Sequence, residues 1–154
     1  MTWFFPDLNV WLALSDAGNS HHSKAWNWLN LLPTDARLMF SRYTQLGLLR
    51  LLTNRSVMGE QTLLLKDAWA VYDRWIADAR VEFHPEPNGL DDVLREATDP
   101  FAEMSVPKWI GDCYLLAYAK HSSATLVTFD KALCELARKQ RCAVLEPTPT
   151  AGLA

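Results

Sequence analysis

The stretch TLVTFD, residues 125–130, decides the fold, because residues suited to a buried strand run directly into a carboxylate. Leu126, Val127 and Phe129 are apolar, and Thr125 and Thr128 favour extended backbone. Beyond Asp130 the period changes: KALCELARK, residues 131–139, places Ala132, Leu133, Leu136 and Ala137 at helical spacing. Asp130 therefore stands where a strand hands over to a helix. A second junction of this kind opens the chain. TWFFPD, residues 2–7, reads as a short buried strand ending near Asp7, and LNVWLAL, residues 8–14, reads as a helix with Leu8, Trp11 and Leu12 inward.

The same alternation fills the sequence between them. SHHSKAWNWLNLL (20–32) reads as a helix capped by Ser20, with Ala25, Trp28, Leu29 and Leu32 on one stripe and Pro33 ending it. RLMFS (37–41) is a second strand, and YTQLGLLRLLTN (43–54) a helix in which Gly47 allows close packing. EQTLLLKDAWAVYDRWIADA (60–79) is expected to be the longest helix, its face widened by Leu65, Trp69 and Ile76 beside Leu64, Ala68, Val71, Tyr72 and Trp75. RVEF (80–83) is a weaker third strand, LDDVLREAT (90–98) a short helix, VPKWIGDCYLLAYAKH (106–121) a helix entered through Pro107, and CAVLEP (142–147) a fifth strand after TLVTF. Strands separated by one or two helices call for a parallel sheet covered on both faces. Right-handed crossovers then gather the strand C-terminal ends on one edge, where open α/β sheets bind ligands.

That edge receives Asp7 and Asp130. A third carboxylate, Asp112, stands in the early turns of a helix that is apolar nearly all round, where a charge needs a partner. Each acid has an ordinary alternative use. Asp7 and Asp130 precede helices and suit N-caps, and Asp112 suits the positive end of a helix dipole. Convergence of three acids from distant segments favours a site: like charges crowd unfavourably unless a cation lies between them, and hard oxygen donors suit Mg²⁺ or Mn²⁺. His21 and His22 are a weaker metal candidate. Neighbours on a helix point about 100° apart, so packing against Trp26 or Trp28 is the better use.

The residues resemble PIN-domain proteins, specifically the VapC-type toxins of bacterial toxin–antitoxin pairs. The resemblance runs through PDLNVWLAL, HHSKAWNWL, YTQLGLLRLLTN and, most specifically, VPKWIGDCYLLAYAKHSSATLVTFDKAL. It implies a three-layer α/β/α fold around a mainly parallel sheet of about five strands. It also implies a Mg²⁺- or Mn²⁺-dependent endoribonuclease, a cognate small antitoxin and a homodimer. Carried over by motif, Asp7, Asp112 and Asp130 are the implied catalytic and metal-binding acids. Thr128 is the hydroxyl that supports them, and Asn9 a structural companion. Gln45 stands where many members carry a Glu. The alternative this leaves is a PIN-like RNA-binding or interaction module with weak or no catalysis. Glu103 and Asp99 match no family position and read as surface charges.

Composition agrees with a globular domain: 154 residues, 49% of them apolar, with seven Trp. Residues 1–147 are read as a single domain and 148–154 as a flexible tail. The net charge of −3 argues against nucleic-acid binding driven by bulk charge, though Arg42, Arg50 and Arg55 cluster, and Lys108 and Lys131 lie near the acids. Three cysteines without zinc spacing read as buried thiols. The start carries no basic region or cleavage site and no run spans a membrane, so a cytoplasmic protein is expected. Two other classes fit less well. A signalling domain phosphorylated on Asp7 would want paired acids after the first strand. A pure interaction protein would rest on aromatics such as Trp69 and Trp75, for which core packing is the commoner use.

Overall fold

The computed structural model describes residues 1–148. Five strands, β1 (Thr2–Pro6), β2 (Ala36–Phe40), β3 (Val81–Phe83), β4 (Thr125–Val127) and β5 (Val144–Leu145), form one sheet in the order β3-β2-β1-β4-β5. Every pairing is parallel. The helices are α1 (Leu8–Ser15), α2 (His22–Asn30), α3 (Arg42–Leu52), α4 (Arg55–Met58), α5 (Leu65–Ala77), α6 (Leu90–Thr98), α7 (Lys108–His121) and α8 (Lys131–Lys139). This is the three-layer α/β/α arrangement expected, and all of its strand pairs are parallel.

Strand side chains alternate between two cores, one on each sheet face. Phe4, Leu38, Phe40 and Val127 enter the first, with Val10, Trp11, Trp28, Leu48 and Val71. There Trp11 stacks on Phe40 at 3.9 Å between ring centres. Phe5, Met39 and Leu126 enter the second, with Leu116, Tyr118 and Leu133. Because both faces are buried, the strands read as continuous apolar runs.

Gly47 packs as expected. A methyl group there would collide with the Leu8 side chain, so the glycine is what lets α3 close on α1. Three expectations need correction. Ser20 is exposed and is not the cap; α2 starts after His21 with no side-chain cap, and Asn19 shapes the turn before it, its side chain accepting the His21 N–H at 2.9 Å and its carbonyl the His22 N–H at 3.0 Å. The stretch from Glu60 is not one long helix. Gly59 takes φ +56°, a 3-10 turn follows to Gln61, and the Leu63 N–H donates to the Leu52 carbonyl at 2.9 Å, so α5 begins only at Leu65. Its 13 residues are exceeded by the 14 of α7. On α5, Tyr72 is buried, whereas Leu65, Trp69 and Ile76, and Leu64 just before it, are exposed. Of the tail, residues 149–154 lie outside the described residues.

Candidate active site

In the strand order, β1 and β4 are neighbours at the point where the chain's connections turn to opposite sides of the sheet. In open α/β sheets ligands bind at such a switch point, beyond the strand C-terminal ends. The two strand-end acids fall there. The Asp7 N–H donates to the Val127 carbonyl at 2.8 Å, which ties the exit of β1 to the exit of β4.

Thr128 joins the two acids at these strand exits. Its hydroxyl is fully buried and donates to Asp7 Oδ2 at 2.7 Å. The same oxygen accepts the Asp130 N–H at 3.1 Å and the Asn9 side-chain N–H at 3.3 Å. A hydroxyl has one proton and two lone pairs, so the two donors leave that proton for the carboxylate. Asn9 completes the clamp by accepting the Phe129 N–H at 3.3 Å.

Asp7 and Asp130 both act as helix caps. Asp7 Oδ1 accepts the Leu8 N–H at 2.6 Å, at the start of α1. Asp130 Oδ1 accepts the N–H groups of Ala132 and Leu133 at 2.9 and 3.2 Å, capping α8. Asp112 differs. It is the fifth residue of α7, beyond the first turn, and its Oδ2 is buried with no hydrogen-bond partner.

Electrostatics links the three. Burial lifts the Asp7 pKa to about 6 against the opposing pull of the Thr128 and Leu8 hydrogen bonds, and the charges of Asp112 and Asp130 add to the rise. Burial also raises Asp112, with Asp130 adding to the rise and Lys108 opposing it. Among the described residues, no three His, Cys, Asp or Glu side chains close up tightly enough to hold an ion unaided. The donor set nevertheless fits a hard cation. An orphaned buried carboxylate oxygen faces like charges, and Mg²⁺ keeps several waters and takes only one or two protein carboxylates. Asp7, Asp112 and Asp130 are the residues that would hold it.

Gln45 is buried, and its carbonyl oxygen accepts from the Arg42 guanidinium. The two histidines divide. His22 bonds the Ala13 carbonyl at 2.7 Å and meets Trp26 edge-on, while His21 stacks on Phe129 at 4.3 Å. Asp99 and Glu103 are exposed. A cavity of about 550 Å³ at the start of α7 reaches Trp109 and Ile110, but none of the three acids lines it.

Sequence reading missed Tyr43. Its hydroxyl lies over Gly111, and burial together with the charges of Asp7 and Asp112 raises its pKa. The available signal was Gly111 itself, a glycine beside an acid inside an otherwise apolar helix.

The family model of the PIN domain matches residues 4–139, and the chain belongs to the PIN-domain family. Within it, the chain is similar to Ribonuclease VapC41 of Mycobacterium tuberculosis, 37% identical over 133 residues that span 84% of this chain and 90% of that protein. Two solved structures share the fold. VapBC2 from Rickettsia felis, bound to a DNA fragment from its promoter, matches with a TM-score of 0.69 at 14% identity, over 94% of this chain and 98% of that one. VapC20 of Mycobacterium tuberculosis, a sarcin–ricin loop cleaving toxin, matches with a TM-score of 0.64 at 18% identity, over 86% and 93%.

Proposed function

We propose that this chain is a toxin-type endoribonuclease that hydrolyses RNA phosphodiester bonds with a divalent cation, Mg²⁺ or Mn²⁺. The observation that carries the reading is the charge coupling of Asp7 with Asp112 and Asp130, and of Asp112 with Asp130, beside one buried Asp112 oxygen that has no hydrogen-bond partner. The similarity to a protein named as a ribonuclease supports it.

When bound, the cation supplies charge neutralisation at the phosphate and acidifies a water. The chain's own residues set the stage. Thr128 holds the Asp7 carboxylate in one orientation by donating to Oδ2. The α8 cap holds Asp130 by Oδ1, which leaves Oδ2 for the cation. Asp112 keeps an oxygen free to face the cation or to take a proton from the attacking water. No serine or cysteine nucleophile is required. Lys108, whose charge reaches Asp112, and Arg50, whose charge reaches Tyr43, give a negatively charged chain a local basic rim for RNA.

The test is cleavage of RNA by the purified chain with Mn²⁺ or Mg²⁺. Activity should vanish on chelation and in Asp112→Asn. Binding of RNA without metal-dependent cleavage would instead establish the second reading, an RNA-binding module. The observation that favours this second reading is Gln45, a neutral amide turned toward Arg42.

A small antitoxin and a homodimer complete the proposal. Leu64, Leu65 and Trp69, exposed at 65%, 59% and 41%, form an apolar patch at the start of α5 suited to a second copy. Sedimentation at micromolar concentration tests the dimer, and co-purification with the product of a neighbouring reading frame tests the antitoxin. No helix among the described residues is long and apolar enough to cross a membrane. We place the protein in the cytoplasm with its RNA.

A further inference from the structure

Gly111 is the fourth residue of α7, one place before Asp112, and glycine is a poor helix former. It takes no left-handed conformation, so backbone freedom does not explain it. Close approach does. A Cβ at this position would stand 2.5 Å from the Tyr43 hydroxyl and 3.5 Å from its Cζ. Tyr43 is the second residue of α3 and reaches across to α7 from the C-terminal end of β2. Its ring also leans on Tyr114, 5.0 Å away between centres.

This packing is not that of a core tyrosine. Tyr118, in the same aromatic row, is fully buried and gives its hydroxyl to the His84 carbonyl at 2.9 Å. Tyr43 is 38% exposed, and its hydroxyl end lies over Gly111, the neighbour of Asp112, within charge range of Asp112 and Asp7. Among the described residues no protein group accepts its proton. A phenol beside two carboxylates keeps that proton, so it acts as a neutral donor and not as a metal ligand. Its hydroxyl is not among the buried, unpartnered polar atoms, so it is free to donate to solvent or to an incoming acceptor. An anion that comes to a carboxylate site does so with a cation, and a phosphate oxygen of RNA is the acceptor suited to this place.

We infer that Tyr43 contacts the substrate, its hydroxyl donating to a phosphate oxygen of the RNA chain beside the scissile bond, and that Gly111 is there to admit it. The inference rests on the ribonuclease reading and adds a substrate-positioning residue to it.

Two variants test it. Tyr43→Phe removes only the hydroxyl, and Gly111→Ala fills the space the hydroxyl occupies. Binding is read by fluorescence anisotropy on a pool of labelled single-stranded RNA, with Ca²⁺ replacing Mg²⁺ to suppress turnover. Steady-state kinetics are read with Mn²⁺. A hydrogen bond to a charged group corresponds to roughly a tenfold or greater loss of affinity. Both variants should lose RNA binding by that factor and show KM raised to match. For Tyr43→Phe, kcat, the thermal midpoint and Mn²⁺ affinity without RNA should stay at wild-type values. Equal RNA binding by Tyr43→Phe and wild type overturns the inference, as does a loss confined to kcat or to metal affinity. A wild type that binds RNA but cuts none defeats the ribonuclease reading alone, and a weaker Tyr43→Phe then still upholds the contact. A wild type that binds no RNA defeats both.

Discussion

Replacing Asp7 by asparagine should stabilise the metal-free protein at neutral pH and abolish its activity. Asp7 is only 7% exposed, and its carboxyl titrates at about 6 instead of 3.8. At pH 7 it is ionised in both the folded and the unfolded chain, and holding it so in the folded state costs about 3 kcal/mol. Between the two pKa values the folded state binds the extra proton. Stability therefore falls as pH rises from about 4 to about 6 and stays low above that. The folded-state pKa is raised, so this carboxylate's unfavourable share is absent in acid and fully present at neutrality. Asparagine removes it but cannot accept from both the Thr128 hydroxyl and the Leu8 N–H, which returns about 1–2 kcal/mol. The balance is a gain of about 1–2 kcal/mol, or roughly 2–8 °C in thermal midpoint for a domain of this size. The assay is urea and thermal unfolding from pH 4 to pH 8 in chelator, wild type beside Asp7→Asn. Asp112, raised in the same direction, contributes to both curves, so their difference reports Asp7 together with its coupling to Asp112. The gain should vanish at about pH 5 and reverse toward pH 4, where the hydrogen-bond loss outweighs the relief, and added Mn²⁺ should stabilise wild type more than the variant. Parallel pH curves, or a variant less stable than wild type at pH 7 without metal, would refute the reasoning.

Thr128→Val should destabilise the fold by about 2–4 kcal/mol, because the Asp7 carboxylate, the Asp130 N–H and the Asn9 amide all lose the same buried partner. Urea titration at pH 7 measures it, and the loss should shrink in acid, where Asp7 is neutral. Gln45→Glu should leave Mn²⁺ affinity within about twofold of wild type, since the new carboxylate would meet the Arg42 guanidinium and not the ion; isothermal titration with and without a non-cleavable RNA analogue decides. Gly47→Ala should cost about 1–3 kcal/mol through its collision with Leu8, visible as a lower urea midpoint with an unchanged slope.

Much of this site is legible in the chain because parallel topology does the placing. Once TWFFP and TLVTF are strands separated by helices, Asp7 and Asp130 must leave the sheet on one edge. Asp112 is legible for a different reason: a charge inside an apolar helix has to be accounted for. Legibility ends where side-chain direction decides. Helical spacing places Gln45 on the inner side of α3, and it is buried, but spacing does not say that its amide turns to Arg42. Tyr43 depends on the approach of α3 to α7, a contact between segments far apart in sequence. The start of α5 is hidden similarly. Leu63, Leu64 and Leu65 suit a helix, yet the Leu63 N–H is claimed by the Leu52 carbonyl and its side chain by the first core.

The three acids are not equivalent, and their hydrogen bonds say which one reports on chemistry alone. Both oxygens of Asp7 are engaged, so any substitution there disturbs β1, α1 and Thr128 together. Asp130 holds the first turn of α8 through two backbone N–H groups, and its loss would cost a helix cap worth about 1 kcal/mol. Asp112 caps no helix, and its Oδ2 ends in a buried space without a donor. An asparagine there gives up no cap, relieves the repulsion from Asp130 and keeps the side chain's shape. Its fold should therefore be as stable as wild type or more so, and a loss of RNA cleavage in Asp112→Asn can be assigned to the missing negative charge. A variant that loses activity and unfolds at lower urea would place Asp112 in the scaffold instead, leaving Asp7 and Asp130 as the two functional acids.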